Sequence, residues 1–300
     1  MKEKTIKKII QGKLQKWADS VNDPSIKKII EENVIVTGGS IASMLLNEPV
    51  NDFDVYLNNK EAVKAVANYY SKGIANLEIL DGKDFSGYDY SDLEKRHVDG
   101  MSHQKGRCVH KIESDRVKIF IPDFGIKKIE VDEENKQSNK FLPLFFSSNA
   151  ITLTDDLQIV IRFHGPAEEI HKNYDFVHAT NYYTSKDKKL TLRPEAVTAL
   201  LVKDLRYIGS KYPLTSVIRS KKFILRGYTC GASTYLKMLY QVSQLDLDDL
   251  TVLEDQLAGV DVAYFEILLN ALQKMQENGK ELNYGYLCTI LDKIFNDEEL

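Results

Sequence analysis

The chain has 300 residues, of which 43% are hydrophobic, and it carries a formal net charge of −4. This apolar content is enough for a large core, and the length suits one large domain or two of ordinary size. The first twenty residues contain six lysines and no unbroken apolar run, so they match neither a signal peptide nor a membrane span. Three widely spaced cysteines fit a reducing compartment, and we expect a cytoplasmic protein without membrane contact.

The N-terminal segment predicts two helices before the first strand. Apolar residues recur at helical spacing from Ile6 to Trp17, and the letters NDP then give the start signal of a second helix. Residues 33–37 (NVIVT) are short and β-branched, and residues 40–47 (SIASMLLN) have helical periodicity. The predicted order at this point is strand, glycine turn and helix.

The middle of the chain predicts more strands and one insertion. A strand, a helix and a strand are expected at residues 53–57, 59–72 and 76–80. Four apolar or alternating segments predict strands that extend a sheet, at residues 117–121, 126–131, 149–154 and 157–163. Residues 81–113 are polar and lack a clear period, which indicates an insertion or a long loop.

After Pro194 the apolar pattern changes to long helical periods. We therefore predict an α+β fold, in which strands and helices form a first domain over residues 1–190. An α-helical domain is predicted over residues 191–300.

The first candidate site residues are two aspartates. One lies on the predicted strand at residues 53–57, and the other lies just before it. Side chains two apart on a strand share a face, so Asp52 and Asp54 are expected side by side while Phe53 and Val55 face the core. Adjacent carboxylates repel each other unless a cation lies between them. Hard oxygen ligands of this kind suit Mg²⁺ or Mn²⁺, with the remaining ligands supplied by water and phosphate.

The glycine turn before the predicted helix is the second candidate feature. Gly38 and Gly39 let the backbone approach a ligand closely, and Ser40 begins a helix whose free N–H groups attract phosphate. A phosphate-binding backbone turn beside a pair of metal-binding carboxylates is the arrangement that phosphoryl transfer from a nucleoside triphosphate (NTP) requires.

The stretch GGSIASMLLNEPVNDFDVYL, residues 38–57, resembles the signature of the DNA polymerase beta nucleotidyltransferase superfamily. Its glycine pair, short helix, LLN, proline and DFD are similar to the head domain of CCA-adding enzymes and bacterial poly(A) polymerases. The chain also resembles nucleotidyltransferase-like proteins of large tailed phages. The resemblance implies that residues 1–190 are a catalytic domain with a nucleotidyltransferase-type mixed sheet and flanking helices. It also implies that this domain transfers a nucleoside monophosphate by a two-metal mechanism.

Residues 173–183 (NYDFVHATNYY) resemble the family segment that contacts the incoming nucleotide. Asp175 and Phe176 match that segment, whereas Asn173 and Tyr174 occupy the place of its arginine pair. Asp175 could instead be a third catalytic carboxylate that acts as general base, or a structural capping residue.

A basic run extends from Arg193 to Arg226, where eight basic residues oppose two acidic ones. It could bind triphosphate or an RNA backbone, or it could be a solvated helix surface. The candidate triphosphate ligands within it are Lys203, Arg219, Lys222 and Arg226. Three tyrosines are expected to be available for base stacking, Tyr207, Tyr212 and Tyr228.

Histidine and cysteine spacings give weaker indications of metal sites. His103, Cys108 and His110 lack a fourth ligand, so zinc is not favoured. His164, His171 and His178 are spaced by seven, but Gly165 and Pro166 interrupt a helix there, so they are interpreted as core or surface residues.

The leading hypothesis is a template-independent nucleotidyltransferase that moves a nucleoside monophosphate from an NTP to an acceptor hydroxyl, with an RNA 3′ end as the expected acceptor. A second hypothesis uses the same site to modify a protein or a small molecule, which suits the acidic net charge better. A third is a non-catalytic nucleotide-binding protein that retains the fold.

Overall fold

A computed structural model gives the fold of the chain over most of its length. It describes residues 1–74, 78–81, 117–120, 126–129, 131, 141–147, 149–247, 252, 256 and 285. The chain divides into two compact units, Met1–Lys203 and Asp204–Leu300. The domain boundary predicted near residue 190 lies slightly before this division after Lys203 and stays a prediction. The predicted insertion, residues 81–113, lies outside the described residues except for Asp81.

The described part of the first unit contains six α-helices and ten strands. The helices are α1 (Glu3–Ser20), α2 (Pro24–Asn33), α3 (Gly39–Leu46), α4 (Lys60–Ser71), α5 (Ala167–His171) and α6 (Pro194–Leu201). The first five strands are β1 (Val34–Thr37), β2 (Phe53–Leu57), β3 (Glu78–Asp81), β4 (Val117–Phe120) and β5 (Ile126–Lys128). The others are β6 (Pro143–Ser147), β7 (Ala150–Leu153), β8 (Leu157–His164), β9 (Tyr182–Thr184) and β10 (Lys189–Thr191). A short 3₁₀ turn, Val177–Ala179, precedes β9.

Eight strands form one mixed sheet in the order β10-β9-β1-β2-β8-β7-β6-β5. β2 pairs with β8 in parallel, whereas β1 pairs antiparallel with both β2 and β9. The strands β1 and β2 therefore lie next to each other although α3 separates them in sequence. The predicted mixed sheet with flanking helices is confirmed.

One face of this sheet is covered by the helices that the N-terminal periodicity predicts. Ile10 and Trp17 of α1, Ile30 of α2 and Val63 of α4 pack in a single buried cluster with Val55 of β2. Complete burial of aliphatic and aromatic side chains at these positions removes apolar area from water, which is the main stabilising contribution to such a core.

The other face of the sheet has a smaller apolar cluster under α5. Ile35 of β1 and Tyr56 of β2 pack there against Ala167 and Ile170. Because alternate residues of a strand point to opposite faces, β1 and β2 each contribute to both clusters.

The second unit is helical in its described residues. Helices α7 (Pro213–Leu225) and α8 (Ala232–Val242) pack against each other. The Thr234 hydroxyl donates to the carbonyl of Leu205 at 3.1 Å. The predicted α-helical C-terminal part is confirmed.

The structure corrects two expectations from the sequence and adds three strands to the predicted ones. The segment at 117–121 does not extend the main sheet, because β4 pairs with β3 in a separate two-stranded sheet. Strands β6, β9 and β10 were not predicted. The three tyrosines expected to be available for stacking are buried, with exposed fractions of 5–7%. The Tyr207 hydroxyl donates a hydrogen bond to Gln241 Oε1, and the Tyr228 ring packs edge-on against Phe223.

Within the described residues, no helix combines the length and the apolar character that a membrane crossing requires.

The indole of Trp17 and the hydroxyl of Tyr70 provide a test of how α1 is attached to α4. Trp17 is fully buried, and its Nε1–H donates to Tyr70 Oη at 2.7 Å. Replacing Tyr70→Phe leaves this buried donor without an acceptor, so we expect the free energy of unfolding to fall by about 1–3 kcal/mol. Urea denaturation measures this free energy of unfolding. Tyr69→Phe, on the same helix but only half-buried, is the matched control, and equal losses in the two variants would contradict the prediction.

Candidate active site

The turn between β1 and α3 requires glycine at one position. Gly38 has φ +93° and ψ −147°, a conformation that side chains other than hydrogen rarely adopt. A Cβ on Gly38 would lie 3.1 Å from Asp54 Oδ2 and 3.4 Å from the hydroxyl of Tyr174. The absence of a side chain therefore lets a carboxylate and a phenol approach the start of α3.

Gly39 and Ser40 form the first turn of α3. A Cβ on Gly39 would meet nothing within 4 Å, so packing does not require glycine there. Ser40 is 2% exposed, and its buried hydroxyl has no hydrogen-bond partner among the described residues. The first N–H groups of a helix also lack partners within the helix and attract anions. The start of α3 therefore offers an approachable backbone and a buried hydroxyl.

The strand β2 places Asp54 on the face opposite the main core. Phe53 and Val55 are buried in the main core cluster, as predicted, whereas Asp54 is half-buried. Its Oδ2 atom lies beside Gly38. The structure thus brings together the glycine turn and one of the two predicted strand carboxylates.

Asp52 lies just before β2 and is exposed. It lines a pocket of about 250 Å³ at this end of the sheet. The other lining residues are Asn51, Leu144, Thr152, Leu153, Asp155, Asp156, Leu157 and Gln158. Lys13 Nζ lies 2.9 Å from Asp155 Oδ2, so this pocket carboxylate has a cationic neighbour.

Asp175 lies in a segment that contacts the glycine turn. The backbone N–H of Gly38 donates to the carbonyl of Ala179 at 3.1 Å, which attaches the 3₁₀ turn to the end of β1. Asp175 itself is 6% exposed, and its Oδ1 accepts from the N–H of Phe176 at 3.0 Å. This contact fits the structural capping alternative, and the role of Asp175 as a third carboxylate stays a prediction.

A polar network behind the glycine turn was not found by sequence reasoning. His171 Nε2 lies 2.9 Å from the Thr37 hydroxyl, and His171 Nδ1 lies 3.4 Å from Arg193 Nη1. Thr37, the last residue of β1, also donates to the carbonyl of Asn181 at 2.9 Å. Burial first, and then the nearby Arg193 guanidinium, lower the pKa of His171 to about 4. A neutral imidazole therefore links α5, β1 and the start of α6.

Two tyrosines lie on the same side of the sheet as Asp54. The hydroxyl oxygens of Tyr56 and Tyr174 lie 3.2 Å apart. Burial, then the neighbouring Tyr56 and Asp54, raise the pKa of Tyr174 well above its usual value. The sequence offers a signal for Tyr56, which follows Asp54 by two positions and shares its face. Tyr174 is distant in sequence, and only its place beside Asp175 connects it with the site.

The predicted basic ligands divide between the two units. Lys203 is the last residue of the first unit, and its Nζ lies 3.8 Å from Glu48 Oε1. Arg219 and Lys222 lie on α7 in the second unit, and Arg226 directly follows that helix. Their role as triphosphate ligands stays a prediction.

The carboxylates of this site suit a divalent cation that also takes ligands from a substrate. Within the described residues, no three His, Cys, Asp or Glu side chains are grouped closely enough to hold a metal ion by themselves. Asp52 and Asp54 supply hard oxygen donors, and Mg²⁺ commonly combines one or two carboxylates with water and substrate phosphates. The donor chemistry of the two residues therefore fits Mg²⁺ or Mn²⁺, and their sharing of a cation stays a prediction.

The histidine interpretations have different outcomes. His103, Cys108 and His110 lie outside the described residues. His164 ends β8, and the chain turns at Gly165 before α5 begins after Pro166, so the predicted interruption is confirmed. His171 and His178 are buried, as core residues.

Comparison with protein families identifies a family whose pattern covers most of the first unit. The sequence pattern of the Gabija anti-defense 2 family matches residues 8–203. The chain belongs to this family. The match covers β1, α3 and β2, as well as the segment that carries Asp175. No curated protein matches the chain.

Solved structures similar to this family member are CCA-adding and tRNA-processing enzymes at low identity. The Thermotoga maritima CCA-adding enzyme complexed with tRNA has 13% identity and a TM-score of 0.39, and the match covers 95% of this chain and 67% of that one. A tRNA-processing enzyme with CTP has 13% identity, a TM-score of 0.38 and coverages of 90% and 70%. A tRNA nucleotidyltransferase with a primer tRNA and an incoming ATP analogue has 15% identity, a TM-score of 0.36 and coverages of 90% and 75%.

The two glycines of this Gabija anti-defense 2 family protein should respond differently to alanine. Gly38→Ala forces a strained backbone and a Cβ close to Asp54 and Tyr174, so we expect a loss of about 1–3 kcal/mol in the free energy of unfolding. Gly39→Ala adds a Cβ in open space on a helix and should cause no loss. Urea denaturation of both variants checks the prediction, and an equally tolerated Gly38→Ala would contradict it.

The depressed pKa of His171 predicts a pH dependence of stability. The unfolded chain binds a proton at His171 near its usual pKa of 6.5, whereas the folded protein binds it only near 4. The free energy of unfolding should therefore fall as the pH drops from 6.5 towards 4, by up to about 1.4 kcal/mol per pH unit from this group.

Urea denaturation between pH 4.5 and 7 measures this slope. His171→Gln should show a shallower slope than the unmodified protein. A slope that His171→Gln leaves unchanged would assign the effect to other groups.

Proposed function

We propose that this protein transfers a nucleoside monophosphate from an NTP to an acceptor hydroxyl. One observation carries the proposal: Asp54 Oδ2 lies 3.1 Å from the position that a Cβ on Gly38 would occupy, at the start of α3. A carboxylate beside a helix N-terminus places a cation ligand next to a phosphate-binding backbone. That combination suits a metal-bound triphosphate.

In this proposal, the start of α3 binds the triphosphate. The backbone at Gly39 is open to close approach, and the Ser40 hydroxyl adds a donor for a phosphate oxygen. The first N–H groups of the helix point in the same direction and carry partial positive charge. Lys203, Arg219, Lys222 and Arg226 are proposed as further triphosphate ligands.

Asp52 and Asp54 would hold the divalent cations. Bound Mg²⁺ or Mn²⁺ supplies two effects, a lower pKa for the attacking hydroxyl and neutralisation of the charge on the leaving pyrophosphate. The acceptor oxygen forms a bond to the α-phosphorus, and the bond from that phosphorus to the α,β-bridging oxygen breaks. The acceptor proton passes to a base, for which Asp175 is the candidate.

An RNA 3′ end is the first candidate acceptor. The basic run from Arg193 to Arg226, with eight basic and two acidic residues, is a suitable contact for a polyanionic backbone. If this acceptor is correct, binding of RNA should weaken steeply with increasing salt concentration.

A protein or small-molecule acceptor is the second candidate, and the pocket at Asp52 favours it. Asp52, Asp155 and Asp156 line this pocket, and Lys13 pairs with Asp155. The carboxylates of this pocket favour a neutral or cationic acceptor group over an RNA backbone, whereas the triphosphate would approach together with its bound cations. The family name adds that such an acceptor could belong to the Gabija defence itself.

Asp54→Asn tests the proposed activity. The substitution keeps the size of the side chain but removes the charge that binds a cation, so we expect transfer to fall by at least about 100-fold. The assay incubates the protein with Mg²⁺, labelled NTPs and either total RNA or cell extract protein, and it follows both label transfer and pyrophosphate release. Asp187→Asn, an exposed residue between β9 and β10, is the matched control.

The two acceptor assays separate the candidates. Label on RNA supports the first acceptor, and label on protein or on a small molecule supports the second. Nucleotide binding without pyrophosphate release by the unmodified protein would contradict the proposed transfer and support the non-catalytic alternative. Equal transfer by Asp54→Asn and the unmodified protein would also contradict it.

A further inference from the structure

Four residues behind the glycine turn form a closed hydrogen-bond network. The Thr37 hydroxyl donates to the backbone carbonyl of Asn181 at 2.9 Å, and His171 Nε2 lies 2.9 Å from the same hydroxyl. Arg193 closes the network, because its Nη1 lies 3.4 Å from His171 Nδ1 and its backbone N–H donates to Asn181 Oδ1 at 2.8 Å. The network therefore joins the ends of β1 and α5 to the residues that precede β9 and α6.

The contacts of His171 assign the nitrogen that carries its hydrogen. The Thr37 hydroxyl has one hydrogen, which the carbonyl of Asn181 accepts, so its oxygen can only accept from the imidazole. His171 Nε2 is therefore a donor. The Arg193 guanidinium is always a donor, so it requires a bare Nδ1, and both contacts assign the same neutral form. The pKa of His171, which burial and then Arg193 lower to about 4, agrees with a neutral imidazole at neutral pH.

This network lies directly behind the strained residue of the glycine turn. Gly38 follows Thr37 and has φ +93°. The Gly38 N–H and the Thr37 hydroxyl both reach the carbonyl of Ala179, at 3.1 and 3.3 Å. A rarely populated backbone conformation persists only where the surrounding contacts over-determine it. The contacts of the fully buried Thr37 supply part of that determination.

We propose that His171 is a positioning residue for the glycine turn. Its Nε2–H keeps the Thr37 hydroxyl directed at the backbone carbonyls, and Arg193 keeps the imidazole in the form that can donate. The peptide group between Thr37 and Gly38 is thereby held in the conformation that presents the start of α3 to a triphosphate. The inference rests on the proposed function, because it takes the glycine turn as the triphosphate site. A turn that is ordered only about one tenth of the time would bind its ligand about 10-fold more weakly.

His171→Leu tests this role through nucleotide binding. The substitution fills the space but removes both the donor and the acceptor. The probes are the α,β-methylene analogues of ATP, CTP, GTP and UTP with Mg²⁺, which cannot release pyrophosphate. Their affinity for the full chain, measured by isothermal titration calorimetry, should fall by about 10-fold. His171→Gln should restore most of the affinity, because its amide can donate to Thr37 and accept from Arg193. Equal affinities of the leucine and glutamine variants would overturn the inference.

A double variant tests whether His171 acts through Thr37. Thr37→Val removes the hydroxyl that receives the His171 hydrogen bond, so it should weaken binding by itself. Adding His171→Leu should then weaken binding little further, because the effects of residues in one hydrogen-bond network are not additive. Losses that multiply in the double variant would show that His171 acts by another route, and the inference would be wrong.

Tyr70→Phe is the matched control for stability. Tyr70 belongs to the main core cluster on the other face of the sheet, so its loss of stability should leave nucleotide affinity unchanged. An equal loss of affinity in this control would assign the effect to stability and would also contradict the inference. If His171→Leu does not fold, nitrogen-15 NMR of the unmodified protein carries the test, with His171→Gln to identify the signal. A hydrogen on Nδ1 instead of Nε2 at neutral pH would overturn the inference.

The binding experiment also separates this inference from the proposed function. If the unmodified protein binds none of the four analogues, the proposed function fails at its substrate. If it binds them and His171→Leu binds them equally well, the positioning role is wrong and the proposed function stands.

Discussion

The close approach of a carboxylate to the backbone at Gly38 is the constraint on which the rest of the candidate site depends. Positive φ at this position turns the chain from β1 into α3, and the missing Cβ leaves room for Asp54 and Tyr174. A larger residue would disturb the turn and the carboxylate together. Backbone conformation and site chemistry are therefore coupled at one residue.

Strand β2 serves the core and the candidate site with alternate residues. Phe53, Val55 and Leu57 belong to the main core, whereas Asp54 and Tyr56 belong to the other face. A register slip of one residue would exchange these faces, burying a carboxylate among aliphatic side chains. The hydrophobic core thus determines which face of the sheet carries Asp54. Pairing with β1 on one side and β8 on the other keeps the strand in that register.

The sequence predicts the local parts of this arrangement well. β1, the glycine turn, α3 and β2 follow one another within 24 residues, from Val34 to Leu57, so periodicity and turn residues are sufficient to find them. The strands β9 and β10 have only three residues each, too few for a clear alternation. The separate pairing of β3 with β4 is also a tertiary property that local periodicity does not encode.

Contacts between residues far apart in sequence explain the other differences between the predicted and the observed site. His171 reaches Thr37 across 134 positions, and Tyr174 reaches Tyr56 across 118. No spacing rule connects residues that far apart, so the polar network was not predicted. The buried tyrosines of the second unit show the same limit, since an aromatic residue within a basic run can serve either packing or stacking.

The pairing of β3 with β4 has a consequence for how this protein can vary. Asp81 and Val117 are register partners, so the stretch between them begins and ends at neighbouring points. The buried side chains of Val117 and Ile119 anchor the returning strand to the main core. With both ends held together, doubling the number of intervening residues costs only about 0.6 kcal/mol of closure entropy. Relatives can therefore lengthen, shorten or exchange that stretch during evolution while the strands beside the glycine turn stay in place.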